Sequence, residues 1–399
     1  MLLTRGKFIA ASKLVFTTLG AKKVIVKIEN QARDYAWGST TLMHEALGLP
    51  ASGGPMAEVW FGNHPGSPAH SVDGVSLAEL RSKPLGFLLK FLAAAIPLSI
   101  QVHPSREKAI EGFARENSAG LAIADPNRSY KDENPKSESL VAITEFEVLA
   151  GIRSGFDVKA TLESLEPFVQ LNRSALARLV AIAESNPDQL FAEVLDGEGD
   201  YAALVAELYA NLKQPTRPEQ ELLIDIFAEF GADRGALLAL FMRHFILQPG
   251  EALVVPPGTP HSYIRGLGLE IQDNSDNVLR AGLTPKHVDG AEFLNVLDVE
   301  VAKACDTVRP KELARGLAVY PSISRDYCLH KVDVSGSNLL ADIKLPGDSI
   351  VVCIAGEIAV ANSLEERVVL RRGEAAFLTA DANFFSFSGS GTGYIGSEL

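Results

Sequence analysis

Gln101 and His103 stand two apart in the phrase SIQVHP, and in a strand that spacing sends both side chains out on one face. An amide oxygen and an imidazole so placed can share a divalent cation. The plain alternative is a core histidine beside a hydrogen-bonded glutamine. YKDENPKSES supplies Glu138 in a stretch crowded with Pro, Asn and Ser, which reads as a loop or the start of a strand. GTPH supplies His261 at a turn that restrains its backbone. Taken singly, Glu138 is a solvated acid and each histidine a structural residue. Taken together, two imidazoles, one carboxylate and one amide oxygen suit Zn²⁺, with a position left open for water or substrate.

Donors so far apart in the chain must be brought together by a sizeable fold. The 399 residues, 47% hydrophobic and 22% charged, are enough for two or three packed units. Lys and Arg total 37 against 50 Asp and Glu, a formal charge of −13, which disfavours long-range attraction to nucleic acid or an anionic membrane. A phosphorylated ligand would need a local basic cluster. Cys305, Cys328 and Cys353 are odd in number and lack CxxC spacing, so they read as buried thiols in a reducing cytoplasm. The most apolar long stretch, Leu85 to Val102, is broken by Lys90 and Pro97, which argues against a membrane span. Residues 1–23 are basic, with no acidic residue and a short apolar run at Leu14 to Leu19; they read as a mobile extension rather than a signal peptide.

The text changes character twice. From about Val24 to Ile152, short β-rich runs (VIVKI, AEVWFG, PLSIQVHP, LVAITEFEVLAGI) are punctuated by Gly, Pro and Asn. Between about Ser154 and Phe245 apolar residues recur at helical spacing: Leu176, Leu179, Val180, Ala183; Leu204, Val205, Leu208; Leu222, Leu223, Ile226, Phe227. Strand patterning returns in ILQPGEALVVPPGTPHSY and again in the last hundred residues. PGEALVVPPGTPH resembles the second strand-turn-strand motif of the cupin jelly roll, with Gly250 and Gly258 in tight turns and His261 pointing into the barrel. PGDSIVVCIAGEI and RRGEAAFLTADANF look like a second cupin whose ligand positions carry no His. The expected fold is mainly β: two cupin-type jelly-roll β-barrels with an α-helical domain inserted between the N-terminal and central β segments. The expected parts are an extension over 1–23, a catalytic cupin over 24–153 and 247–310, a helical insertion over 154–246, and a degenerate cupin over 311–399.

Tyr35-Ala36-Trp37-Gly38, AEVWFGNHP, FLLKFLAAAIPLSIQVHP, YKDENPKSE, PPGTPHSY and EIQDNSDNVLRAGLTPKHVD occur in this order. With these blocks the chain resembles the type I mannose-6-phosphate isomerases, also called phosphomannose isomerases. The resemblance runs from about Lys27 to the C-terminus, is strong from Tyr35 to Asp289, and is loose in the helical insert and the last cupin. It implies an enzyme that interconverts mannose 6-phosphate and fructose 6-phosphate, with one Zn²⁺ per chain held by Gln101, His103, Glu138 and His261. Members commonly read NHKPE where this chain has Asn134-Pro135-Lys136-Ser137-Glu138, so a role resting on that family histidine does not transfer.

An aldose-ketose isomerisation moves a proton between adjacent carbons and spreads charge over two enediolate oxygens. It needs a base, a Lewis acid and a cation. The resemblance makes Arg280, a permanently charged planar donor, the leading catalytic residue; a lone arginine would otherwise read as surface. Glu270 and Lys136 are the acid-base candidates, with His64 and a metal-bound water as further possibilities. Ser99 shares the strand face of Gln101, and Lys90 matches a position near the phosphate, its plain alternative being a snorkelling lysine. Lys286 and Tyr263 are secondary candidates for lining the pocket. Trp37 and Trp60 read as packing, and Asp276 as a turn cap. Two other functions fit parts of the pattern: an Fe²⁺ cupin dioxygenase and a non-catalytic sugar-phosphate-binding cupin. The amide donor and the RAGLTPK block speak against the first, and the demand for a Lewis acid against the second. The expected partner is a small phosphosugar, without nucleic acid or membrane, and the chain is expected to be a cytoplasmic monomer.

Overall fold

Val-, Ile-, Leu- and Phe-rich runs separated by turn residues pair into two antiparallel sheets, each with ten strands among the described residues. The structure is a computed structural model that describes residues 24–399 except 82, 198, 337, 338 and 383. The expected extension over 1–23 lies outside the described residues. Mainly β architecture, as expected, is what the chain adopts.

The first sheet is organised by the strand His261–Asp273, which is buried at every position but Arg265. Its first half is flanked by Ile100–Val102 and Phe146–Ala150, its second half by Phe87–Ala94 and Glu138–Ala142. Burial on both faces explains why HSYIRGLGLEIQD lacks the alternation of a half-exposed strand. The register slips between Tyr263 and Arg265, and Gly266 follows with φ 135°. A Cβ there would lie 2.7 Å from the Glu145 carbonyl oxygen and 2.8 Å from Phe146 Cα, so only glycine fits. Tyr263 and Glu270 are 7 positions apart and would point to opposite faces of a regular strand, yet the Tyr263 hydroxyl donates to Glu270 at 2.7 Å. The bulge turns them onto one face.

Between the paired strands Phe146–Ala150 and Arg243–Leu247 the chain runs through α-helices from Gly155 to Leu240. Of the residues read as periodic, Leu176, Leu179, Ala183, Leu204, Val205, Leu208, Leu222, Leu223, Ile226 and Phe227 are buried as an inner stripe, and Val180 is partly buried against it. The same apolar cluster takes in Ile100, Val102, Leu279 and Ala281 from the sheet. Because strand side chains alternate, burying these four against the helices turns Gln101, His103 and Arg280 to the opposite face. The helices thus fix the polarity of the strands that carry the site.

The second sheet comprises the strands after residue 310 together with Ile25–Glu29 and His70–Ser71. Ile25–Glu29 pairs with Ala375–Leu378 on one side and His70–Ser71 on the other, so the first described strand sits in the sheet of the last hundred residues and not with Glu58–Phe61, the strand next in sequence. Its apolar side chains explain the placement. Ile25 packs within the second sheet's own core, while Val26 and Ile28 join Phe87, Phe91 and Ile271 of the first sheet in a core shared by both. No described helix is long and apolar enough to cross a membrane. All three cysteines are free and buried, and burial pushes the Cys305 thiol up to about 12 and those of Cys328 and Cys353 to about 11. None is a ready nucleophile.

Gly266→Val is expected to cost about 2–3 kcal/mol, because both φ and the contact with Glu145 oppose a side chain. An unchanged denaturation midpoint in urea would show that the bulge is not constrained in this way.

Candidate metal centre and active site

Three elements deliver the donors. His103 leaves the strand Ile100–Val102 just before Ser105, whose hydroxyl accepts the Lys108 N–H at 3.4 Å and caps the helix Arg106–Ser118. Glu138 opens the strand Glu138–Ala142, opposite Gln272 and Val255. His261 opens the long strand, opposite Gln101. The ligand atoms of His103, Glu138 and His261, all buried, lie within 4.8 Å of one another. Gln101 pairs with His261 on one side and Arg280 on the other, and residues directly opposite in antiparallel strands share a face. Gln101 and Arg280 therefore lie on the face that carries His261.

The donor chemistry calls for a cation. The Glu138 Oε1 lies 3.2 Å from His103 Nε2, and its Oε2 lies 3.2 Å from His261 Nε2. His103 Nδ1 is 2.7 Å from the Asn277 carbonyl oxygen and His261 Nδ1 is 3.1 Å from that of Thr259. A carbonyl only accepts, so each Nδ1 carries the proton and, in the neutral ring, each Nε2 presents a lone pair toward the carboxylate. Burial and the Lys136 ammonium push His103 down to about 3, so its ring is neutral. Burial opposes the Glu138 charge, but the neighbouring Lys136 ammonium holds its carboxyl well below the usual range. Two lone pairs facing a buried carboxylate repel it unless a positive charge lies between them. The Lys136 ammonium already sits 2.8 Å from Glu138 Oε1 and 3.4 Å from His103 Nε2. Two imidazoles and a carboxylate with their Nδ1 protons anchored to backbone carbonyls match the donor set and supporting shell of a zinc site.

Beside this centre runs a buried chain of charges. Lys90 Nζ lies 2.5 Å from Glu270 Oε2 and 3.0 Å from Glu58 Oε1, and Trp60 Nε1 donates to Glu58 Oε2 at 2.9 Å. The pairing follows from register, with Lys90 directly between Trp60 and Glu270 on neighbouring strands. Burial alone would discharge Lys90, but Glu270, Glu58 and Glu138 hold it well above its ordinary value. Among the described residues, two of its three N–H donors are committed and one is left. Burial, then the Glu138 charge, raise Glu270, with Lys90 opposing. Tyr263 donates to Glu270 at 2.7 Å and lies 3.2 Å from Glu138 Oε2; burial and both carboxylates keep it protonated. Tyr263 thus bridges two carboxylates within the wall of the site.

The open side is cationic. Arg280 is half-buried, and among the described residues no ion pair holds it or Lys286. Burial and the Arg280 charge both lower Lys286, which places the two cations in one another's field. Ser99 precedes the strand Ile100–Val102 and is half-buried. His64 accepts the Gly66 N–H at 3.1 Å on Nδ1, and its Nε2 lies 3.2 Å from Asp276 Oδ2. It therefore both caps a turn and meets Asp276, whose carboxyl it holds below the usual range.

Two residues that sequence reading passed over matter here. Glu58 sits in the β-rich phrase AEVWFG, where a lone acid two positions before a Trp was the available signal. Asn277 is fully buried: its Oδ1 accepts the Lys131 and Asp132 N–H groups at 2.6 and 3.1 Å, and its Nδ2 donates to the Asp132 and Asn134 carbonyls at 2.9 and 2.8 Å. Its own carbonyl orients His103. One side chain thereby ties the segment leading to Lys136 and Glu138 to the residue that sets the His103 tautomer.

Known proteins resemble this chain over most of its length. The catalytic-domain model of phosphomannose isomerase type I matches residues 25–155. The chain is 32% identical to mannose-6-phosphate isomerase of Salmonella typhimurium over 387 residues, which covers 92% of this chain and 97% of that one. Against mannose-6-phosphate isomerase of Homo sapiens the identity is 26%, covering 88% of this chain and 92% of that one. The crystal structure of the Salmonella typhimurium enzyme bound to its substrate, fructose 6-phosphate, and zinc superposes with a TM-score of 0.83 at 32% identity, covering 94% of this chain and all of that one. With its buried donor triad, its fold and near full-length similarity in agreement, the chain belongs to the type I phosphomannose isomerase family.

Proposed function

We propose that this chain interconverts D-mannose 6-phosphate and D-fructose 6-phosphate, using one Zn²⁺ held by Gln101, His103, Glu138 and His261. The observation that carries the reading is the buried meeting of His103, Glu138 and His261, with ligand atoms within 4.8 Å. The Salmonella typhimurium relative, whose structure contains fructose 6-phosphate and zinc, supports both substrate and metal. Neither the iron dioxygenase nor the non-catalytic reading gains support from these relatives.

Zinc bound there would supply a Lewis acid for charge developing on the sugar's C1 and C2 oxygens. The chain's own residues divide the remaining work. Glu270, with a pKa raised by burial and Glu138, takes the proton from C2 of the aldose and returns it to C1. Lys90 supplies the counter-charge, and Tyr263 fixes the carboxylate's orientation. Lys136 donates to the oxygen that gains or loses its proton. The Arg280 fork braces the enediolate as charge spreads over it. Lys286, Ser99 and the remaining donor of Lys90 meet the phosphate, a dianion that a cleft cannot hold unpaired.

The two sheets read as cupin-type jelly rolls, the catalytic one built from residues up to 310 apart from Ile25–Glu29 and His70–Ser71, which join the degenerate one formed by the strands after 310, with the helices of 154–246 as an insertion. The chain is proposed to act as a monomer. Three free, buried thiols suit a reducing cytoplasm.

Removal of metal by a chelator should abolish conversion of mannose 6-phosphate, measured by enzymatic detection of fructose 6-phosphate, and added zinc should restore it; activity indifferent to chelation would reject the reading. Arg280→Ala should lower turnover about 10²–10³-fold with zinc content unchanged, and near-normal turnover would remove Arg280 from the mechanism. Asn277→Ala should weaken zinc binding about 10–100-fold, read by competition with a chromophoric chelator. Wild-type affinity in that variant would mean that His103 is oriented by other means.

A further inference from the structure

The strand carrying His261 and Glu270 ends at Asp273, whose carboxylate is buried. Its Oδ2 accepts the Ser137 N–H at 2.8 Å, and its Oδ1 accepts the Ser324 hydroxyl at 2.5 Å. The Asp273 N–H donates to the Ser137 carbonyl at 3.1 Å, and the Tyr327 hydroxyl donates to the same oxygen at 3.3 Å. Ser137 is the residue before Glu138. Both of its backbone polar groups are therefore held, by Asp273 and Tyr327, and two residues tie this cluster to the second sheet: Tyr327 begins the strand Tyr327–Val334, and Ser324, the partner of Asp273 Oδ1, lies just ahead of it.

We infer that the second sheet, through Asp273, Ser324 and Tyr327, positions the metal carboxylate Glu138; this rests on the zinc isomerase reading. Residues 131–137 form no strand or helix, so nothing regular aims the backbone as it reaches Glu138. The carboxylate must nevertheless serve two imidazole nitrogens at once, each 3.2 Å away, which tolerates little error in its Cα position. The buried Ser137 N–H requires a partner, and a proline at 137 would have none to give. A buried carboxylate with both oxygens bonded is a rigid one, and here it links the end of the catalytic strand, the loop before Glu138 and a segment of the second sheet. The C-terminal sheet supplies no ligand among the described residues, and its contribution to the site is this aim.

The test uses the full chain with Asp273→Ala, Asp273→Asn and the double variant Ser324→Ala/Tyr327→Phe. Readouts are the zinc dissociation constant by chelator competition, kcat and KM separately, the visible spectrum of the Co²⁺-substituted protein, and the thermal midpoint. Asp273→Ala should weaken zinc binding about 10–100-fold, lower kcat more than it raises KM, and alter the Co²⁺ spectrum. Asp273→Asn keeps an acceptor for Ser137 and a donor for Ser324 and should recover most of the zinc affinity. The double variant, with Asp273 intact, should weaken zinc about threefold to tenfold. It keeps the inference exposed to refutation even where Asp273→Ala fails to fold. Wild-type zinc affinity, kcat and Co²⁺ spectrum in the double variant, with only a lowered thermal midpoint, would overturn the inference and leave a structural role. A wild-type chain that binds no zinc would instead overturn the isomerase reading, and this inference with it.

Discussion

Glu138 is a charged group with almost no water, its two oxygens turned toward the Nε2 atoms of two imidazoles whose Nδ1 protons are spent on backbone carbonyls. A carboxylate in that setting is stable only with positive charge inside the same cavity, because a ring whose Nδ1 proton is spent on a carbonyl turns an Nε2 lone pair toward it. Lys136 meets part of the requirement and a divalent cation would meet the rest. The loop that leads to Glu138, the orientation of both histidines and the second carboxylate at Glu270 are all arranged around this one demand.

The apolar half of the molecule determines where that charge can sit. Ile100, Val102, Leu279 and Ala281 are drawn into the core of the helices, and the alternation of a strand then leaves Gln101, His103 and Arg280 no choice of face. Burial of hydrocarbon, a non-directional force, is converted by the pleat into the direction of a metal ligand and of a guanidinium. At Gly266 the backbone adds a second decision, since one extra residue in the strand brings Tyr263 and Glu270 to the same side.

Charge neutralisation next to the centre is equally a matter of register. Lys90 lies between Trp60 and Glu270 on adjacent strands, and Glu58 reaches it from two positions further along its strand. Removing one member of such a buried set leaves the others uncompensated, at a cost of about 3–5 kcal/mol. The network therefore stabilises the fold as well as tuning Glu270. Arg280 and Lys286 form no ion pair with it among the described residues, although the Glu58 charge reaches Lys286, and this suits both cations to an anionic ligand.

Much of the site was legible because short-range rules act within a few residues. The i, i+2 spacing of Gln101 and His103 specifies a shared face wherever that segment is extended, the Gly-Thr-Pro turn restrains His261, and the helical periodicity between Leu176 and Phe227 names the buried stripe that the structure shows. The family blocks added the ligand set. Strand pairing between distant segments has no such local code: nothing in VIVKI states that it will pair with Ala375–Leu378, and nothing in AEVWFG states that Glu58 will meet Lys90. Asn277 and Asp273 matter through backbone groups brought to them by folding, and a backbone N–H is the same in every sequence. Residue type and spacing thus determined which chemistry was possible, whereas sheet register, one bulge and the packing of helices decided which groups would meet, because those depend on the total apolar area buried and not on any neighbour along the chain.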